Sequence, residues 1–543
     1  VCPVFDEELP LPASRFFLRR DHVACLMLGL AVLLLVGCQT VDSRRDTPFW
    51  APDIGDAASR FELAKRSQPE LITFLRRMPK GADLHNHLSG ASYGEYVVTS
   101  AIEQGLNYDP ARHKFTDDPA GNNGVITAEK LIRDSSELAA YYDASSMRGW
   151  YPASMNGHDH FFATFDYLRS GDRGKAEMLA EVVARNAYQN VTYLELMTSP
   201  YPKSVRKAVG AALISFDPGD LESAWAQVQA VADDPVHATA TADYLDSLER
   251  EADRILHEQH DMSLLGDDPD VVVRYMPQLL RKLSLERFFV DAVAAMMAIR
   301  DEPRVVTLNM VQPEDAMQSR EYFATQMRIL DFLSQRMGQP PITLHAGELV
   351  LRESPVEPMR DRISRSVTQG QARRIGHGIS IAWEDDVVGT LATMRERGVL
   401  VEICLSSNEG ILGVTGDAHP FMLYRRAGVP VSINTDDEAI SRSNLTMEFV
   451  IAASRYDLSY DELLELARNS LESSALPGAG LYIDRDYGRL REPFGSVRKT
   501  DWAPSAEAQE LLDNDLKLRL QVGLEREIVA FERSLATGFR VTP

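Results

Sequence analysis

The 543-residue chain carries 57 basic against 80 acidic residues, a formal charge of −23, and a surface of that sign repels polyanions, which argues against nucleic acid as a partner. A hydrophobic content of 44% with 25% charged residues suits a globular protein with a large core and excludes a fibrous or low-complexity chain. The length exceeds one ordinary domain, yet an α/β barrel of typically about 250 residues grows past 400 when its loops carry insertions.

At the N-terminus, Arg15, Arg19 and Arg20 precede an apolar run from Val23 to Gly37, long enough for the core of an export signal and short for a membrane-spanning helix. The run closes on Leu35-Val36-Gly37-Cys38, which resembles the bacterial lipobox, where the cysteine is lipidated and becomes the new N-terminus. Residues 1–37 are read as a lipoprotein signal peptide and Cys38 as a lipid anchor. This places an exported protein on a bacterial membrane, at its periplasmic or outer-membrane face; a buried core helix is the alternative reading. Residues 38–65 follow as a polar tether, Gln39 to Thr47, and a leading helix. Cys2, Cys25 and Cys38 belong to the leader, so Cys404 stands alone in the mature domain and no intrachain disulfide framework is expected.

Helix-like sequence from Phe61 to Leu75 leads to Pro79, after which Ala82-Asp83-Leu84-His85 reads as the first buried strand, tipped by His85-Asn86-His87. Further apolar runs span Val191 to Leu196, Val305 to Val311, Ile342 to Leu344, Arg374-Ile375-Gly376, Val399 to Cys404 and Val429 to Asn434. Longer amphipathic segments separate them, the alternation of parallel βα units. The predicted fold is α/β, a (β/α)₈ TIM barrel over residues 66–500. Stretches near 107–156 and 215–284 are too long for plain connections and are read as insertions, the second largely helical. Residues 501–543 are read as a C-terminal helical extension, where Leu512, Leu516, Leu520, Leu524 and Ile528 recur every fourth position on one face. That stripe suits a packing helix and equally a contact with a second copy in a homodimer.

Residues with chemistry cluster at the ends of these runs. His85 and His87 sit two apart on a strand, so both imidazoles point to the same side, toward the barrel mouth, and could share a metal; surface or hydrogen-bonding histidines are the plain alternative. Thr343-Leu344-His345-Ala346-Gly347-Glu348 ends a strand in a third imidazole, with a carboxylate three residues on that could exchange protons or simply cap a helix. Two more strands end in His377, flanked by glycines, and in Asp436-Asp437. Adjacent carboxylates repel unless a cation or a donor stabilises them, though an Asp pair also suits a helix N-cap. Strand C-termini converge on one face of a barrel, and three nitrogens with one carboxylate make a zinc site with room for water.

Taken in order, these residues resemble the adenosine deaminase family from Met78 to about Leu476. Met78-Pro79-Lys80 through Gly90-Ala91 looks like that family's first-strand motif, Leu344 to Glu348 like its fifth, Arg374 to Gly378 like its sixth and Val431 to Asp437 like its eighth. The resemblance implies one zinc ion per chain, held by His85, His87, His345 and Asp436. It further implies that Glu348 protonates purine N1, that His377 and Asp436 steer the attacking water and its proton, and that Asp437 holds purine N7. Phe161-Phe162-Ala163-Thr164-Phe165-Asp166 resembles the family's short helix over the substrate, with Phe161, Phe162 and Phe165 as an apolar lid; as plain sequence these aromatics read equally well as core. Ser89 stands where many members place an Asp that contacts the ribose. Gln312, within Val311-Gln312-Pro313-Glu314, replaces a segment that usually carries a Gly facing the purine. Both become substrate-binding candidates and leave the sugar open. The implied activity is zinc-dependent hydrolytic deamination of adenosine, with 2′-deoxyadenosine, to inosine and ammonia. The alternatives are deamination of a modified adenine nucleoside, another mononuclear amidohydrolase, or a non-catalytic nucleoside-binding or growth-factor-like protein. Binuclear members of the wider superfamily use a carbamylated lysine on a middle strand, and no Lys occurs between Asp301 and Leu330. The insertions and export signal look closer to the secreted branch, the adenosine deaminase-related growth factors.

Overall fold

The structure, a computed structural model, describes residues 49–50, 55–150, 156–171, 174–259 and 271–536. The leader, Cys38 and the polar tether lie outside the described residues.

Among the described residues eight strands build the barrel, in chain order β1 (Gly81–His87), β2 (Val191–Thr198), β3 (Val272–Leu280), β4 (Asn309–Val311), β5 (Ile342–Ala346), β6 (Ala372–His377), β7 (Leu400–Ile403) and β8 (Val431–Ile433). They form two four-stranded parallel sheets, with register pairs such as His87↔Met197, Gln278↔Asn309, His345↔Gly376 and Ile403↔Ile433. Parallel bridges Leu308↔Ile342 and Asn86↔Asp436 join the two sheets on both sides. The first strand thus meets the last, and the sheet curls into a ring with helices between successive strands. Strands buried on both faces read as continuous apolar runs, which is why most of them are visible in the sequence.

One barrel strand lies in a stretch that the sequence reads as insertion. The stretch 215–284, read as a largely helical insertion, does contain helices Leu221–Ala232 and Val236–Gln259, but its last part supplies β3. Arg274, Pro277 and Gln278 interrupt the apolar run of Val272–Leu280, and a proline argues locally against a central strand. Pairing with β2 on one side and β4 on the other overrides that local pattern.

The ends of the chain also differ in detail. The helix expected from Phe61 to Leu75 is two, Ala57–Ala64 and Gln68–Arg77, because Ser67 takes the extended N-cap conformation and Pro69 starts a new first turn. The C-terminal stripe likewise breaks at Asp515, whose carboxylate accepts the Leu518 N–H at 2.9 Å, giving helices Ala506–Asn514 and Leu516–Ala536. Leu524 and Ile528 are buried in the main core, with Leu516 and Leu520 packed partly buried against it. Phe74 clamps both ends to the barrel: its ring centroid lies 5.2–5.8 Å from those of Phe49, Phe61, Tyr460 and Phe531.

The insertion near 107–156 forms a three-stranded antiparallel sheet, Asn107–Asp109, Lys114–Thr116 and Ile126–Thr127, followed by helix Ser135–Ala144. With helix Gly157–Leu168 it builds a second apolar core, in which Tyr108, Phe115, Tyr141 and Phe161 meet Ile379, Ile411 and Ile440 from the segments that follow barrel strands. A roof is thereby fixed over the strand C-termini. Phe74→Ala is expected to lower the unfolding free energy by about 3–5 kcal/mol, as truncation of a fully buried Phe does. A chemical-denaturation midpoint equal to that of the parent would remove Phe74 as the clamp.

Candidate functional site

The backbone at the β1–β8 seam sets the geometry. The Asp436 N–H donates to the His85 carbonyl at 2.8 Å, and the Asp436 carbonyl accepts the His87 N–H at 3.0 Å. Between the two histidines Asn86 faces away, its Nδ2 donating to Asp83 and Thr435, as the strand's two-residue period requires. Both imidazoles and the Asp436 carboxylate are left on the inner side.

Around that point the side chains make a closed circuit. His85 Nε2 is 3.1 Å from His345 Nε2, which is 3.2 Å from His87 Nε2; Asp436 Oδ1 is 3.2 Å from both His87 Nε2 and His85 Nε2. A centre inside a circuit of such edges lies roughly 2.0–2.3 Å from all four atoms, the length of zinc–nitrogen and zinc–oxygen bonds. The outer nitrogens support the same reading. His85 Nδ1 is 2.6 Å from Glu402 Oε2 and His345 Nδ1 is 2.9 Å from Asn309 Oδ1. His87 Nδ1 lies 3.2 Å from the Gln278 side-chain amide, whose oxygen becomes the acceptor when that amide is turned over. Acceptors on Nδ1 hold the proton there and turn each Nε2 lone pair inward, the usual outer arrangement of metal-binding histidines. The residues therefore fit a divalent ion, and a buried group of His85, His345, His377 and Asp436 has ligand atoms within 4.8 Å of one another. Burial opposes charge on His85, but Asp436 and Glu402 pull its pKa up to about 10, so this point favours a positive charge. A metal must compete with that proton.

Buried polar partners support this centre. Glu402 also accepts from Arg374 Nε at 2.6 Å, and Arg374 Nη2 reaches Glu195 at 2.6 Å. Burial pushes the Glu402 carboxyl up, but Arg374 and His85 outweigh it and leave the pKa lowered. Asp436, for which burial acts the same way, is held well below the usual range by His85 and His87, and its Oδ2 accepts from Ser407 Oγ at 2.6 Å.

The other candidates stand around the same space. Glu348 follows Gly347 out of β5; its N–H donates to Glu314 Oε2 at 2.7 Å, and Glu314 is buried between Arg281 and Arg362. Burial first, then Asp436 and Glu314, raise the Glu348 pKa to about 8. Burial does the same for Asp437, also to about 8. His377 is driven down to about 3, chiefly by burial. Its Nε2 has no hydrogen-bond partner among the described residues and lies 3.7 Å from Glu348 Oε1. Three non-glycine residues here hold positive φ: His377 at 65°, Asp436 at 61° and Gln312 at 86°. Such backbone strain gathers at functional sites. Gln312 thus keeps a conformation glycine favours, within the segment in which the resemblance expects a Gly. Gly90 is required by contact, since a Cβ there would sit 1.6 Å from Asp437 Oδ1.

A cavity of about 470 Å³ opens over the centre, lined by His87, His345, Glu348, Asp436 and Asp437 together with Ser89, Gln312, Phe161, Phe162 and Phe165. Every substrate contact expected from the sequence falls on its wall. The three phenylalanines satisfy both readings at once, since Phe161 belongs to the second core and Phe162 and Phe165 pack half-buried against it. A larger cavity of about 820 Å³ lies at the opposite end, near strand starts at Val305, Thr343, Ala372 and Val399, and touches none of these imidazoles or carboxylates. Reasoning from sequence missed Glu402, Asn309, Gln278, Asn408 and Ser407. The available signal was a charged or amide side chain inside an apolar strand, as in Leu400-Val401-Glu402-Ile403, where burial demands a partner. Glu402→Gln is expected to weaken metal affinity about 10- to 100-fold, measured by competition with a chromophoric chelator; unchanged affinity would detach Glu402 from the centre.

Residues 254–480 match the family model described as adenosine deaminase. That span holds His345, Glu348, His377, Asp436 and Asp437 but begins well after β1, whose two imidazoles the fold itself brings in. Among curated proteins, the adenosine deaminase of Enterococcus faecalis is 38% identical over 152 residues, 28% of this chain and 39% of that protein. The aminodeoxyfutalosine deaminase of Streptomyces avermitilis is 38% identical over 137 residues, 25% of this chain and 35% of that protein. The chain thus spans less than half the length of the curated relatives it matches. A solved arabidopsis N6-mAMP deaminase aligns over 75% of this chain and 96% of its own with 18% identity and a TM-score of 0.47.

Proposed function

We propose, from the adenosine deaminase domain carried by residues 254–480, that the protein is a metal-dependent hydrolase that replaces the 6-amino group of an adenine nucleoside with oxygen and releases ammonia. Adenosine and 2′-deoxyadenosine are the substrates proposed first. The observation that carries this reading is the circuit of His85, His87, His345 and Asp436, with an acceptor beside the outer nitrogens of His85 and His345 and the Gln278 amide beside that of His87. A zinc ion held there supplies Lewis acidity, lowering the pKa of water from about 15.7 toward 7.

The chain's own groups supply the rest. Adenine presents lone pairs at N1 and N7, on either side of the reacting C6. Glu348 and Asp437, both kept protonated near neutral pH by burial, are hydrogen-bond donors matched to those two acceptors. Proton transfer from Glu348 to N1 draws electrons away from C6 and prepares it for attack. Its carboxylate then pairs with the N1–H of the 6-oxopurine product. His377 Nε2 faces the same space without another partner. The phenylalanine helix lines the cavity beside the two carboxyls, whose burial raises their pKa values.

A modified adenine nucleoside is the second reading. One matched relative is named an aminodeoxyfutalosine deaminase, and Ser89 and Gln312 are the two wall positions at which this chain departs from the family's pattern. The leader sequence supports delivery of the activity outside the cytoplasm on a lipid anchor at Cys38.

The direct test is loss of adenosine absorbance with purified protein, chelator-stripped and then zinc-reconstituted; turnover is expected only with metal, and none on any adenine nucleoside would end the reading. Glu348→Gln is expected to retain the metal and to lower kcat by a factor on the order of 10² or more; near-normal turnover would contradict its role. Because Glu348 acts in its protonated form and its pKa is raised to about 8, activity is present below that pH. Above it, kcat/KM is expected to fall about tenfold per pH unit. A profile flat through pH 10 would remove Glu348 as the proton donor.

A further inference from the structure

Behind His377 runs a chain of hydrogen bonds through Asn408 and His419, all three side chains being buried. It begins at a backbone group. His419 and Pro420 precede helix Phe421–Arg426, whose first N–H groups lack intrahelical partners, and the Phe421 N–H donates to His419 Nδ1 at 3.1 Å. A backbone N–H can only donate, so His419 Nδ1 carries no proton and the ring's hydrogen sits on Nε2. His419 Nε2 lies 3.0 Å from Asn408 Oδ1 and donates to it. That orients the amide: Asn408 Nδ2 faces His377 Nδ1 at 3.0 Å and donates in turn. The reverse orientation would set an Asn408 N–H against the N–H of His419. His377 Nδ1 is therefore bare, and its proton lies on Nε2, the nitrogen that faces the reaction space.

We propose that Asn408 and His419 are positioning residues that lock His377 in its Nε2–H tautomer, so that His377 donates a hydrogen bond to oxygen at the reaction centre and does not take a proton from it. The arrangement differs from that of His85, His87 and His345, whose Nδ1 atoms face carboxylate or amide groups that can accept. The same barrel mouth thus holds imidazoles of both tautomers, sorted by what stands behind each ring. Only the expected effect on rate rests on the deaminase reading; the tautomer itself does not.

Asn408→Asp is the sharpest variant, because a carboxylate only accepts. His419 keeps its Nε2–H, and His377 must move its proton to Nδ1. In zinc-reconstituted protein with isotope-labelled histidine, ring proton–nitrogen correlation spectra are expected to show His377 as Nε2–H in the parent and as Nδ1–H in Asn408→Asp. With adenosine, kcat is expected to fall by a factor on the order of 10² or more while KM stays within about threefold, since a wrong imidazole tautomer elsewhere costs up to about 10⁴ in kcat. An Nδ1–H ring in the parent, or an Nε2–H ring in Asn408→Asp, overturns the proposal. The spectrum reads the tautomer whether or not any nucleoside turns over, so it fails or stands separately from the deaminase reading. Should Asn408→Asp not fold, two changes at His419 decide. His419→Gln can still accept from Phe421 and donate to Asn408, and is expected to keep the parent ring pattern with kcat within about fivefold. His419→Phe can do neither, and is expected to mix the tautomers and lower kcat at least about tenfold. Equal kcat and equal spectra for the two overturn the proposal.

Discussion

Lone pairs do not gather without a cation to share them. Three imidazole nitrogens and a carboxylate oxygen standing 3.1–3.2 Å apart along a circuit would repel one another unless positive charge lies between them, and much of the buried polar structure follows from that demand. Each outer imidazole nitrogen needs an acceptor, which brings Glu402, Asn309 and Gln278 into apolar strands. A buried carboxylate in turn needs a cation, which is Arg374, and that guanidinium needs Glu195 as well. Such buried ion pairs add little net stability and are severely destabilising when one partner is removed. Their presence makes sense as support for the centre.

Burial pushes every carboxyl here toward its neutral form, yet the carboxyls a few ångströms apart end in opposite states. Asp436, facing two imidazoles, is held ionised; Glu348 and Asp437, facing the cavity, are held protonated. One end of the site is therefore suited to a cation while the other presents neutral carboxyl donors to the cavity, and the division arises from neighbours and not from residue type. Aromatic side chains line the cavity that both ends share.

The sequence made legible whatever burial writes locally. Strands covered on both faces appear as apolar runs, and their functional tips, His85, His87, His345, His377 and Asp436, follow directly because strand ends in a barrel converge. What it hid depends on partners far away in the chain. Strand β3 contains Arg274, Pro277 and Gln278 and acquires its identity only from the strands on each side. Glu402 and Asn309 look like interruptions until His85 and His345 are placed against them. The break at Asp515 is local, but a side chain capping its own backbone was outweighed on paper by the regular spacing of leucines. Asn408 and His419 carried no signal by themselves, since their significance is which atom donates to which.

The centre also lies where the ring of strands is joined. The hydrogen bonds between the first strand and the turn after the last are made by His85, His87 and Asp436, the residues whose side chains face the ion position, and the neighbouring contact links Asn86 to Thr435 across 349 positions of chain. Bringing such distant segments together carries a loop-closure entropy cost. An ion shared across them would clasp the cylinder at its seam, so that filling the centre would also favour keeping the cylinder shut.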